Sequence, residues 1–160
     1  MDKDLYKCKA IVNKEPFNTV CGYYYCGEMD IIIDGCGIKH AINPYSLCRN
    51  TGIKINNTYL YEFDLIEYGG GLSNPEMGFI EWDSFNNSYG IRSSLNYTGR
   101  RKLKGNKITI IGNIALNDDD YEKMQVYSVK QDESYKGITV EPECRSTQYL
   151  NKKMKQFLPK

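Results

Sequence analysis

Few residue clusters in this chain carry the types that chemistry needs. The densest runs from Gly99 to Lys107, where Arg100, Arg101, Lys102, Lys104 and Lys107 could hold phosphates or an acidic partner. A second set is aromatic: Tyr23, Tyr24 and Tyr25 in one run, Tyr59 and Tyr61 in another. Tyrosines give a protein partner contact area at low entropic cost, and they can also stack on bases. For covalent chemistry the candidates are Cys48 as nucleophile with His40, the single histidine, as base, or Glu62 and Asp64 sharing a proton or a cation. Neither set carries an enzyme signature. No orienting partner accompanies His40, no elbow motif surrounds Cys48, and carboxylates two residues apart serve equally well as acceptors for backbone amides. No catalytic residue is assigned, and the chain is taken as a non-enzyme.

The six cysteines are Cys8, Cys21, Cys26, Cys36, Cys48 and Cys144. With His40, the four from Cys21 to Cys48 could be combined into a zinc site, but the intervals lack the paired C-x2-C elbows of a ribbon or knuckle. The charged start of the chain lacks the apolar run of a secretory signal, which predicts a reducing compartment and small buried thiols, with neither metal nor cofactor. Gly69 to Gly71 could approach a phosphate, yet no Gly-Lys-Ser/Thr follows, so a connecting loop is expected. Asp118, Asp119 and Asp120 lack the alternation of a calcium loop and follow Asn117, a natural helix cap.

With 21 basic and 20 acidic side chains the formal charge is +1, so any anion binding must come from a local patch. No segment approaches the about 20 apolar residues of a membrane-spanning helix. The composition, with 14 Tyr beside 5 Phe and 1 Trp, and many Gly, Asn and Ile, favours strands joined by tight turns.

Period-two alternation then places the elements. Strands are expected over 7–12, 19–26, 31–35, 38–42, 58–68, 79–85, 91–95 and 108–114, with turns at Pro16, Asn43-Pro44 and Asn56-Asn57. Trp82 is expected as a core anchor. A short helix is predicted from Asn117, then a hairpin from 126–131 to 137–142. A helix over 145–158, with Tyr149, Leu150, Met154, Phe157 and Leu158 on one side, would dock on its own domain or on a second subunit. The fold class is mainly β, with barrel-like or sandwich-like antiparallel sheets and a short C-terminal helix. Residues 1–120 form the β domain, divisible into two β subdomains, and 121–160 an extension.

Several motifs in order give this pattern a relative. Gly22-Tyr23-Tyr24, Thr51-Gly52-Ile53-Lys54, Tyr61-Glu62-Phe63-Asp64, Trp82-Asp83 and Ile111-Gly112-Asn113-Ile114 together resemble the YopX family of phage and prophage proteins, over about residues 5–120. Phe63 departs from the family's Tyr-Glu-Gly-Asp, which predicts that the local turn is straightened here. Cys48-Arg49-Asn50 departs from the usual glycine, glutamine and aromatic. The resemblance implies a phage origin and the cytosol of an infected bacterium, but no settled activity. Phage-like origin, small size and missing catalytic groups together favour a binding protein that inhibits or redirects a host protein, including an anti-defence role against a CRISPR effector. The alternative is a small β-barrel that binds nucleic acid or an anionic nucleotide.

Overall fold

Apolar and aromatic residues recur at every second position through most of the chain, and the backbone follows that period. The computed structural model describes residues 3–15, 17–69, 74–96, 100–103 and 107–134. Among them eleven strands in two antiparallel sheets precede one α-helix, so the protein is mainly β. The chain divides into two units, Met1–Glu62 and Phe63–Lys160. No helix among the described residues is long and apolar enough to cross a membrane.

The first unit holds β1 (Lys7–Ile11), β2 (Thr19–Cys26), β3 (Asp30–Asp34), β4 (Lys39–Ala41), β5 (Cys48–Ile55) and β6 (Thr58–Tyr61), in the order β4-β3-β2-β1-β5-β6. Cys8, Ala10, Ile32 and Ile42 are buried on one side, with Val20, Tyr24 and Leu47 packed against them. Full burial of each such isoleucine is worth about 2 kcal/mol. The sheet coils around this core. An isolated bridge joins Val12 to Ile42, and Asn43 N–H donates to Ile11 O at 2.9 Å, tying the end of β4 to the end of β1. Coiling requires a close approach at Gly22, where an added Cβ would lie 2.1 Å from Ile33 O. The pairing runs no further, so the sheet curls without closing into a barrel.

The second unit holds β7 (Asp64–Tyr68), β8 (Glu76–Asp83), β9 (Ser88–Arg92), β10 (Arg100–Lys102), β11 (Ile108–Asn113) and α1 (Asp118–Ser134), with strand order β10-β9-β8-β7-β11. Asn117 Oδ1 caps α1 by accepting from Asp119 N–H at 2.9 Å. Tyr121 and Met124 then fall on one stripe and pack with Leu65, Phe79, Leu95 and Ile114, while Tyr127 extends the contact. Ser128 Oγ accepts from Leu95 N–H at 2.8 Å and donates to Met124 O at 2.7 Å. Val126 to Gln131, expected as a strand, is therefore helical. Its residues alternate, but they also continue this stripe, and packing decides. The partner strand 137–142 and the helix 145–158 lie outside the described residues.

A buried ion pair fixes the chain after β9. Arg92 Nη1 meets Glu81 Oε1 at 3.0 Å, Nε donates to Ser94 O at 2.9 Å, and Nη2 to Leu95 O at 2.7 Å. Both side chains are almost wholly shielded from water. Gly112 and Asn113 do related work at β11. Gly112 is not left-handed; it leaves room for the Asp120 carboxylate, which an added Cβ would meet at 2.1 Å. Asp120 Oδ2 accepts from Asn113 N–H at 3.0 Å, while Asn113 Nδ2 donates to Asp64 Oδ1 at 2.9 Å.

The single strand expected over Thr58 to Tyr68 is two strands. Phe63 sits at φ 65°, in the left-handed region, between β6 and β7. The straightening expected from phenylalanine at this position does not occur: Phe63 itself takes the left-handed backbone. Phe63 N–H donates to Ile80 O at 2.8 Å, its carbonyl accepts from Ile114 N–H at 3.0 Å, and its ring packs on the Leu65 and Phe79 core.

Two stability orders follow. Phe63→Ala loses the ring but keeps the left-handed strain, whereas Phe63→Gly loses the ring and releases it. The glycine variant should be the more stable of the two by about 1 kcal/mol in urea unfolding, and the opposite order would contradict the strain. Glu81→Ala leaves Arg92 buried without its carboxylate and should cost about 3 to 5 kcal/mol, with Glu81→Gln costing less. A Glu81→Ala effect below about 0.5 kcal/mol, the range of surface changes, would contradict the buried pair.

Candidate functional site

The candidate catalytic groups do not assemble. His40 Nε2 lies 2.9 Å from Asp34 Oδ2, and Asp34 Oδ1 accepts the N–H groups of Cys36 at 2.8 Å and Ile38 at 3.0 Å. These bonds close the β3–β4 hairpin. The contact with His40, reinforced by the two amides, holds the Asp34 carboxyl below the usual aspartate value. Cys48 is buried on β5 and its Sγ donates to Ser46 O at 3.3 Å, so it is a shielded thiol. Strands β3, β2 and β1 stand between β4 and β5 in the sheet order. Glu62 and Asp64, expected on one face of a strand, instead flank the Phe63 turn. Glu62 Oε2 accepts from Arg49 N–H at 3.2 Å, and Asp64 from Asn113.

The described cysteines are all free: Cys8 and Cys48 are buried, as expected, but Cys21, Cys26 and Cys36 are exposed. Cys21 lies on the outer face with Tyr23 and Tyr25, Cys26 is the last residue of β2, and Cys36 sits in the Asp34–Ile38 turn. Among the described residues no group of three or more His, Cys, Asp or Glu side chains could hold a metal ion. Cys144 and the glycines at 70–71 lie outside the described residues.

Of the basic segment, Arg100 to Lys102 forms β10, at one end of the second sheet. Arg101 is engaged there: its Nη1 lies 2.9 Å from Glu76 Oε2, and its guanidinium stands 5.7 Å from the Tyr68 ring centre. Burial and the bond to Glu76 raise the Tyr68 pKa. Lys107 is exposed just before β11, and Lys104 lies outside the described residues.

The tyrosines do share a surface. Pairing puts Lys7 opposite Tyr23, Tyr23 opposite Ile33, Ile33 opposite Lys39, and Tyr25 opposite Ile31, so these residues lie on one face of the first sheet. The same face reaches β6, where Lys9 Nζ lies 4.1 Å from the Tyr61 ring centre and Cys21 Sγ 3.9 Å from Tyr61 Oη. Tyr59 follows on β6, with Lys54 Nζ 4.4 Å from its ring centre. Tyr24 points to the opposite face, where its hydroxyl is bonded to the Asp30 carboxylate, and that contact raises its pKa.

Exposure separates the tyrosines. Tyr25 is 60% and Tyr23 40% exposed, while Tyr61 at 6% is largely covered. The open part of the face is therefore Tyr23 and Tyr25 with the half-buried Ile31 and Ile33, flanked by lysines. Three of those lysines have partners: Lys9 on Tyr61, Lys54 on Tyr59, and Lys7 paired with Asp4. In the second unit Trp82, expected in the core, is 41% exposed and stands edge-on to Tyr89, with ring centres 5.0 Å apart. It alternates with buried Glu81 and Asp83, whose polar bonds face the other way. Two features escaped sequence reasoning: the isoleucine content of the tyrosine face, because Ile31 to Ile33 reads as uniformly buried, and Phe85, whose position in a polar turn is its only signal.

The chain matches no family model, no curated protein and no solved structure.

If Asp34 organises the β3–β4 hairpin, its depressed pKa fixes the pH dependence. A carboxylate whose folded pKa lies below its unfolded value of 3.8 stabilises the hairpin above that value and loses its effect as pH falls through the folded one. Amide exchange at Cys36 and Ile38 should be slow at pH 6, accelerate relative to the core amides below pH 3.8, and be fast at both pH values in Asp34→Asn. Unchanged protection in that variant would contradict the assignment.

Proposed function

We propose that this chain is a non-catalytic binding protein whose partner is another protein, held by the outer face of the six-stranded sheet. The observation that carries this reading is the composition of the open face: Tyr23, Tyr25, Ile31 and Ile33 offer aromatic and aliphatic area. Of the lysines on that face, Lys7, Lys9 and Lys54 are engaged by Asp4, Tyr61 and Tyr59, and Lys39, opposite Ile33, is the exposed cation at its margin. Protein interfaces favour tyrosine at their centres and are depleted in charge there. A single-strand nucleic-acid groove needs free cations tracking the backbone as well as aromatic platforms, and Arg101 in the basic segment is likewise met by Glu76.

The partner in this reading is a host protein in the cytosol of an infected bacterium, and the effect is to inhibit or redirect it, with a defence nuclease such as a CRISPR effector as the leading class. The YopX-like motif order supports a phage origin. So does the left-handed backbone of Phe63, at the position where that pattern carries glycine. The placing of His40 on β4 and Cys48 on β5, with three strands between them in the sheet order, and the bond of the Cys48 thiol to a carbonyl support a binding role over a catalytic one.

Affinity capture from bacterial lysate with the tagged chain should retain a host protein in defined stoichiometry, with an absorbance ratio free of nucleic acid. Tyr23→Ala/Tyr25→Ala should weaken the purified interaction by about 30-fold or more, as loss of a central aromatic anchor does, while Arg101→Ala/Lys102→Ala leaves it within a few-fold. Retention of nucleic acid or nucleotide, lost in the basic variant, would overturn the protein reading in favour of an anionic ligand.

A further inference from the structure

The hairpin from β8 to β9 ends in a turn, Ser84 to Asn87, that carries Phe85 with 94% of its surface in water. The turn is tightly bonded. Asp83 Oδ1 accepts from Phe85 N–H at 3.0 Å and from Asn86 N–H at 3.3 Å, while Oδ2 accepts from Asn86 Nδ2 at 2.6 Å. Asn87 takes the left-handed conformation at φ 49°, and the Asp83–Ser88 pair closes the hairpin. The Asp83 side chain is itself buried. Phe85 is thus displayed on backbone that is already ordered, with Trp82 and Tyr89 stacked edge to face on the strands behind it.

The surroundings select the partner. Ser84, Asn86, Asn87 and Ser88 are neutral hydrogen-bonding residues, no cation occurs from Glu81 to Ile91, and the neighbouring β10 places Arg101 and Lys102 opposite Ile91 and Gly90, beyond the turn itself. A phosphate or an anionic lipid headgroup would need a cation there. An exposed aromatic with a neutral polar rim on preordered backbone matches the anchor of a protein interface, because little entropy is lost when it docks and its rim can hydrogen-bond around a buried centre.

We propose that the β8–β9 tip is a second protein-contact element, in which Phe85 inserts into an apolar pocket of a partner protein while Asn86 and Asn87 bond the pocket's rim. The site lies in the second unit and uses none of the residues of the tyrosine face, so it extends the binding function beyond that surface. The choice of a bacterial partner rests on the reading above.

The test uses the full chain. Phe85→benzoylphenylalanine is irradiated in bacterial extract, the crosslinked protein is identified and purified, and it is titrated with wild type, Phe85→Ala and Tyr23→Ala/Tyr25→Ala, with emission of Trp82, the chain's single tryptophan, as one readout. The expected result is a crosslink to apolar residues lining a pocket and an affinity loss of about 30-fold or more for Phe85→Ala, with an unchanged melting temperature. Affinity of Phe85→Ala within twofold of wild type would overturn the proposal. So would crosslinks confined to a second copy of this chain, to lipid or to nucleic acid. A loss in Phe85→Ala with full affinity in the tyrosine variant sustains the tip and removes the sheet-face reading; the reverse pattern removes the tip alone.

Discussion

The left-handed backbone at Phe63 is the constraint on which the start of the second sheet depends. A bulky side chain at positive φ costs about 1 to 2 kcal/mol, so the surroundings must hold it there. They do so with the bonds from Ile80 and Ile114 to its two backbone groups and with the packing of its ring. On one side of the turn, Glu62 N–H bonds Arg49 O and ends β6 against β5; on the other, Asp64 begins β7 and meets Asn113. Were this stretch to run straight, the period-two register of Tyr59 to Tyr68 would carry through one strand and could not serve two sheets.

From that register the binding surface follows. Three successive tyrosines cannot share a face of a strand, so Tyr23 and Tyr25 go outward and Tyr24 goes to the core side, where Asp30 takes its hydroxyl. Neighbouring strands then add Ile31, Ile33 and the lysines in fixed cross-strand rows. Lys7, Lys9 and Lys54 are answered within the unit by Asp4 and by tyrosine rings, and what remains open is aromatic and aliphatic area with Lys39 at its margin. The second unit shows the same economy. Arg92, Glu81, Asp64, Asn113 and Asp120 turn their polar groups inward to bond one another or the backbone, and so specify loops.

Local pattern was enough for much of this. Thr19 to Cys26 alternates cleanly and forms a strand over those residues; Asn56-Asn57 is a hairpin turn with both residues left-handed; Asn117 caps a helix. What the sequence hid was long-range. Nothing in the Tyr-Glu-Phe-Asp run announces a turn, because phenylalanine there is a poor choice locally and its backbone is bonded to residues 17 and 51 positions away. Val126 to Gln131 fits either a strand or a helix, and the stripe begun at Tyr121 and Met124 settles it. Trp82 looked like a core residue by type, but its register with Tyr89 places it at the edge of the buried surface. The tyrosines were visible as candidates; that Tyr61 is covered and Tyr23 open was not, since Lys9 and Cys21, which lie against Tyr61, are 52 and 40 positions away in the sequence.

The measurement that bears most directly on the binding role is hydroxyl-radical footprinting, read by mass spectrometry, of the free chain and of the chain saturated with its captured protein partner. Tyr23, Tyr25 and the exposed Met29 should all be oxidised in the free chain. In the complex the two tyrosines should become protected, while buried Tyr68 stays unreactive in both states. Full reactivity of Tyr23 and Tyr25 in a saturated complex would contradict the assignment of this sheet face as the contact surface.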